Sequence, residues 1–169
     1  MEVHEAIRTK RAIRHYTDEP IPTEHIHTIL NAGRLSQSAK NLQPWHFVAI
    51  QNRERLRQLA EVGKFSSFLG EAALGLVILT PDPTERFQIL FDAGQTAAYM
   101  QLAAWELGIG SCLTTSYNRD GVRELLGHPD DIQVRIAIGF GYPHPDRPRF
   151  SGSSRGRRPF EDVVHWETW

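Results

Sequence analysis

The stretch Ser36-Gln37-Ser38-Ala39-Lys40-Asn41-Leu42-Gln43-Pro44-Trp45-His46-Phe47 decides how the rest of the chain is read. It is far more polar than the segments that flank it. Ahead of it, Ile26, Ile29, Leu30 and Gly33 recur at helical spacing, with Thr23 as the expected N-cap. Behind it, Trp45–Ile50 has the composition of a strand. Ser, Asn and Gln turn the backbone while still offering side-chain donors and acceptors. Pro44 favours an extended residue before it, so Gln43 is expected to lead straight into the strand. Amides and hydroxyls along the edge of a packed sheet suit a flat, hydrogen-bonding ligand. An ordinary helix-to-strand loop explains the same residues equally well, because most loops carry no site.

Outward from this stretch, the elements alternate in kind. A short helix over Val3–Arg8 precedes it. After it come a charged helix over Asn52–Val62, with Leu56 and Leu59 inward, and the apolar run Ala73–Thr80, a strand covered on both faces. Pro81 and Pro83 end that strand, and Thr84 is a candidate cap for the longest helix, Glu85–Leu107. This helix is apolar almost all round from Ile89 onward, which predicts a central, buried element. Ala93 and Ala97, like Gly94 and Ala98, are four apart and would let another helix approach closely. A strand over Ile109–Thr115, a short helix over Arg119–Leu126 stopped by Gly127, and an alternating strand over Ile132–Phe140 follow. The pattern predicts an α+β domain: a mixed, largely antiparallel β-sheet of about four strands with helices on both faces. The whole of 1–169 is expected to be one domain.

Composition removes several function classes. The net charge of −1 leaves no global field for nucleic acid or an anionic membrane. No apolar run approaches the roughly 20 residues of a membrane span. The N-terminus shows no secretory signal pattern, so a cytoplasmic location is the default expectation. The single cysteine, Cys112, excludes an internal disulfide and a CxxC metal site, and reads as a buried inert thiol. His25 and His27 read as surface histidines rather than metal ligands. Gly108-x-Gly110 follows a helix and lacks a third glycine in place, so it is no dinucleotide fingerprint. Phe65, Phe68 and Leu69 read as core packing, with the rim of a substrate slot as the alternative.

Two basic clusters remain. Lys10, Arg11 and Arg14 are interleaved with Ile13 and Tyr16, which would anchor them, and Arg155, Arg157 and Arg158 lie near the other terminus. Arginine forks suit phosphate oxygens. From Pro143 to Pro159 the composition is that of a flexible tail, yet Phe160, Val163, Val164, Trp166 and Trp169 follow. So apolar an end implies an arm, 143–169, that docks on something.

Taken together, Arg8–Tyr16, the central polar stretch and Arg155–Val164 resemble the FMN-binding signature of the nitroreductase family. Asp92-x-Gly94, Leu102-Ala103-Ala104 and Leu107-Gly108-Ile109-Gly110-Ser111 are also similar to that family, so the resemblance spans nearly the whole chain. It implies FMN as cofactor, NADH or NADPH as electron donor, and a homodimer with the flavin at its interface. It implies flavin contacts from Lys10, Arg11, Ala12 and Arg14, with Arg14 toward the N1/O2 edge of the ring. Ser38, Asn41 and Gln43 would reach a flavin bound mainly by the other subunit. Thr114 and Thr115 would lie near the ring, and Arg155 and Arg157 would bind phosphate from the docked arm. Ala12 departs from the family's usual Ser, and Gln37 from its frequent Pro.

The implied activity is a ping-pong transfer from NAD(P)H to a nitroaromatic, quinone or similar small acceptor. No side chain need act as acid or base, since the chemistry is the cofactor's. The alternatives are a non-enzymatic FMN-binding or regulatory module, and another flavin chemistry on the same scaffold: a dehydrogenase, a dehalogenase or a flavin-cleaving enzyme. A nucleic-acid binder is disfavoured by the charge.

Overall fold

Leu74, Leu76 and Ile78 face one side of strand β2 (Leu74–Pro81), Val77 and Leu79 face the other, and all five are buried. Period-2 alternation with apolar residues in both registers makes this a central strand with a core on each face. In the computed structural model, which describes residues 1–115, 117–147 and 156–169, β2 lies between β1 (His46–Ile50) and β4 (Ile132–Gly141), and β3 (Gly110–Thr114) pairs with β4 at the other edge. All three strand pairings are antiparallel. The parallel component of the expected mixed sheet is reduced to one bridge between Ala12 and Ser111.

Helices α2 (Thr23–Arg34) and α4 (Gln88–Glu106) cover one face through Ile26, Ile29, Ala93, Ala97 and Met100. The other face is covered by α3 (Arg53–Glu61), α5 (Arg119–Leu126) and the turn Ser67–Glu71, with Leu56, Leu59, Leu69 and Val122 fully buried. Each such side chain contributes about 1.5–3 kcal/mol by leaving water. A short α1 (Val3–Thr9) is tied to the end of α4, where Trp105 Nε1 donates to Thr9 Oγ1 (3.0 Å). The Asn52 side chain caps α3, and Asn118 caps α5, which ends on left-handed Gly127 as expected.

Several boundaries move. Thr23 is the first residue of α2 and Pro22 its cap, since proline suits a helix start that needs no N–H there. Thr84 does not cap α4. Its backbone N–H and hydroxyl are both taken by the Asp82 carboxylate, and the helix begins four residues later, at Gln88. Gln43 is not extended. Its φ is 48°, because its N–H turns inward to donate to Ser38 Oγ (2.9 Å). Of Phe65, Phe68 and Leu69, the last two are core, whereas Phe65 is 80% exposed at a φ of 62°.

The largest difference concerns α4. Only one side of it is buried. Leu90, Phe91, Ala98 and Tyr99 are exposed, and a Cβ added at Gly94 would meet nothing. The sequence makes this helix apolar all round, but its own chain covers only one side of it.

Candidate functional site

The residues singled out in the sequence fall into two separate groups. The first is the segment Lys10–Arg14, which crosses the edge of the sheet at β3. Ile13 N donates to Ser111 O (3.0 Å), and the Tyr16 hydroxyl donates toward both Ile13 O (2.7 Å) and Gly139 O (3.0 Å). Ile13 and Tyr16 are buried, so the interleaved apolar residues anchor the bases as expected. The fit is close: a Cβ at Gly110 would lie 2.7 Å from Ile13, and one at Gly141 2.8 Å from Tyr16.

Lys10 and Arg14 are half-buried, and both act electrostatically on Cys112. Burial lowers the Lys10 ammonium pKa and raises that of the Cys112 thiol, which Arg14 and Lys10 oppose. The high thiol pKa and the buried side chain agree with an inert cysteine. Among the described residues, the side-chain ion pairs involve neither Lys10 nor Arg14. Arg11 is exposed, with its guanidinium folded back onto Arg8 O and Lys10 O at the end of α1. Ala12 is half-buried beside Ser111. Thr114 belongs to this group: it ends β3, is buried, and its hydroxyl donates to Lys64 O (3.3 Å). Thr115 is exposed and lines a cleft of 520 Å³ with Leu90, Gly94, Leu113 and Tyr117.

The second group is the polar loop after α2. Lys40, Asn41 and Gln43 all have left-handed φ, at 53°, 55° and 48°. Such angles are uncommon away from glycine and cost of order 1–3 kcal/mol each. The loop keeps them through side chains. Ser38 Oγ accepts from Gln43 N, and Gln43 Nε2 donates to Asn41 Oδ1 (3.2 Å). Asn41 and Gln43 are exposed, so their remaining donors and acceptors face outward. Beside them lies a cleft of 920 Å³, lined by Ala39, Lys40, Pro44, Asp82, Arg86 and Asp92 among others.

The two groups are tied to α4 at different points. The first follows Thr9, which Trp105 holds; the second is held at Asp92. Ile13 N donates to Ser111 O, and the Ser111 hydroxyl accepts from Gln101 Nε2, so the basic segment is also tied to α4 nine residues from Asp92, about 14 Å at 1.5 Å per residue. Arg157 is exposed, and Arg155 lies outside the described residues. His27 is exposed and His25 half-buried, and no metal-holding cluster occurs among the described residues. No helix of the described chain is long and apolar enough to cross a membrane.

Sequence reasoning missed the residues that hold the polar loop. Asp92 and Thr96 are buried on α4, and Ser36 is buried opposite them. The signal was present: two polar residues four apart inside an apolar helix need a buried polar partner. Lys64 was also missed, since only its carbonyl meets Thr114.

Comparison with known proteins accounts for most of the chain. A model of the nitroreductase family matches residues 7–64 and 60–142. The chain is 34% identical over 170 residues to a protein of Archaeoglobus fulgidus provisionally named NADH dehydrogenase/NAD(P)H nitroreductase, covering 96% of each. It is 29% identical over 177 residues to an NADPH-flavin oxidoreductase of Vibrio harveyi, covering 95% of this chain and 72% of that one. Among solved structures it is similar to an FMN-dependent nitroreductase from Clostridium difficile, with a TM-score of 0.86 and 28% identity over 99% of this chain and 100% of that one.

Proposed function

Because the chain belongs to the nitroreductase family, we propose that it is an FMN-dependent oxidoreductase that takes reducing equivalents from NAD(P)H and delivers them to a small acceptor. The observation that carries the site is the basic segment: Lys10 and Arg14 are partly desolvated, firmly anchored and unpaired by any carboxylate among the described residues. Cations held that way leave room for an anionic ligand. Arg11 is exposed beside them and need only release two carbonyls to reach a phosphate. The donor set fits FMN: cations for its phosphate and for the electron-rich edge of its ring, and amides and hydroxyls for its polar rim.

Bound there, FMN supplies the hydride and electron chemistry, which no side chain of this chain needs to perform. The protein's own part is binding and orientation. Lys10, Arg11 and Arg14 neutralise negative charge. Ala12 offers only backbone, so the segment binds without a hydroxyl at that position. Thr114, fixed through Lys64 O, and Thr115 border the ring. The 520 Å³ cleft beside Thr115 and Leu113 is room for donor and acceptor in turn. One slot used alternately is the basis of the ping-pong order. Nitroaromatics and quinones are the acceptor class, being flat molecules that accept electrons at a ring face.

The second half of the site comes from a partner subunit in this reading. Asn41 and Gln43 follow the contact at Asp92, whereas the basic segment is tied toward the other end of α4, at Trp105 and, through Ser111, at Gln101, so they serve the flavin of the other protomer. The exposed apolar side of α4, with Leu90, Phe91 and Tyr99, is the dimer contact. The C-terminal residues, among them Phe160, Val163, Trp166 and Trp169, are exposed, which supports an arm that packs on the partner and brings Arg157 to the phosphate.

Anaerobic titration of the FMN-reconstituted protein with NADH and then NADPH tests this reading. Bleaching of bound flavin, reversed by a quinone or nitroaromatic, is expected, and parallel double-reciprocal plots would accompany a ping-pong order. Flavin that binds but is reduced by neither donor would make the chain a flavin-binding module instead.

A further inference from the structure

The polar loop adopts three left-handed residues that its own sequence does not favour, and the cause lies on α4. Asp92 is 7% exposed and accepts from Ala39 N through both carboxylate oxygens (3.2 Å each). One turn further, Thr96 Oγ1 lies 2.6 Å from Ser36 Oγ. The Ser36 hydroxyl already donates to Gly33 O (2.8 Å), so Thr96 is the donor in that pair. The run leading into the strained residues is thus gripped at two points, Ser36 and Ala39, by residues four apart on one helix face. Among the described residues, the side-chain ion pairs leave Asp92 without a cation. A buried carboxylate without a cation is costly, and an apolar residue would serve packing better.

We propose that Asp92 is a positioning residue: by clamping Ala39 N it sets Asn41 and Gln43 in their outward, left-handed arrangement before the flavin on the partner subunit arrives. This rests on the flavin reading above. Asp92 touches no ligand in this scheme. Its effect is felt through the loop, and therefore in the other protomer's site.

The test uses the full chain. Asp92→Ala is expected to weaken FMN binding about tenfold, the loss of one well-placed charged hydrogen bond and of preorganisation. Asp92→Asn should keep most of the affinity, since its amide oxygen still accepts from Ala39. Unchanged FMN affinity in Asp92→Ala overturns the proposal. Mixed dimers separate positioning from general damage. With Asp92→Ala in one chain and Arg14→Ala in the other, one site receives both defects and one receives neither. One tight FMN per dimer is then the expected stoichiometry, and two weakened sites with no tight one overturn the assignment in trans.

Amide hydrogen exchange at Ala39 in the flavin-free protein gives a readout that needs no cofactor. Exchange should quicken in Asp92→Ala, and by less in Asp92→Asn, which serves alone if the alanine variant does not fold. Unchanged exchange overturns the proposal. A wild-type protein that binds no FMN would fail the flavin reading, while the exchange result would still judge the clamp.

Discussion

The basic segment and the polar loop are both candidate halves of one site, yet they are held by opposite means. The segment Lys10–Arg14 is held by backbone pairing to β3 and by two buried side chains, Ile13 and Tyr16. It behaves as part of the sheet. The loop at 36–43 has no strand to lean on. It is held by Asp92, Thr96 and Ser38 side chains against three left-handed residues. The difference teaches where each half takes its stability: one from the core it crosses, the other from a few polar bonds to a helix. Charge recognition can rest on a rigid edge, whereas the loop must hold several short polar side chains at set angles.

The strongest way to break this comparison is at the α4 face that would join two protomers. Phe91 is 70% exposed in the single chain, so Phe91→Asp should leave the fold intact. It is expected to yield a monomer by light scattering and to abolish FMN retention on gel filtration. A monomer that keeps its flavin would show that one chain completes the site. Next in size is Arg14→Ala, expected to weaken FMN binding roughly 10- to 100-fold by loss of a charge-assisted contact, read by fluorescence titration. An unchanged affinity would remove Arg14 from the site.

Gly33→Ala acts on the loop from behind. The new Cβ would lie 2.0 Å from Met100 Cε, and Met100 is fully buried. Overpacking there should cost about 1–3 kcal/mol of stability, seen as a lower melting temperature, with the basic segment's Ile13 amide still protected from exchange. The smallest effect is expected at Asp82, beside the loop's cleft. Hydrogen bonds from the Thr84 side chain and backbone, then Gln133, hold its carboxyl down to about 2 from an ordinary 3.8. A depressed acid stabilises above its unfolded value and loses that contribution as pH falls through its folded one. Asp82→Asn should therefore flatten the stability curve between 3.8 and about 2, leaving FMN affinity at neutral pH unchanged. A lost affinity would place Asp82 in the site.

Much of the fold was legible because its signals are local. The apolar run of β2, the alternation in β4, the leucines of α3 and Gly127 after α5 each report their own surroundings. The basic segment was legible because Ile13 and Tyr16 announce an anchor among charges. The polar loop was recognised but misdrawn at Gln43. The bias that Pro44 imposes was outweighed by a hydrogen bond to Ser38, five residues back, and by a clamp from Asp92, which lies far along the chain. The α4 surface was misjudged for a related reason. Helical periodicity tells how apolar a face is, not whether its own chain covers it. The start of α4 shifted because Asp82 competes for Thr84, a short-range side-chain bond that capping rules alone do not weigh.

The position of Cys112 has a further use. It is the only cysteine in the chain, it is 3% exposed, and it shares its cluster with Ile13 and Tyr16 of the basic segment. A thiol-reactive dye reaches it only when the packing around it opens, and lifting of the basic segment from β3 is one such opening. Labelling rate therefore reports openings of the cluster that includes the N-terminal edge, with no introduced cysteine to disturb it. Ligand that seats on the basic segment should slow labelling to the extent that the segment's detachment limits it.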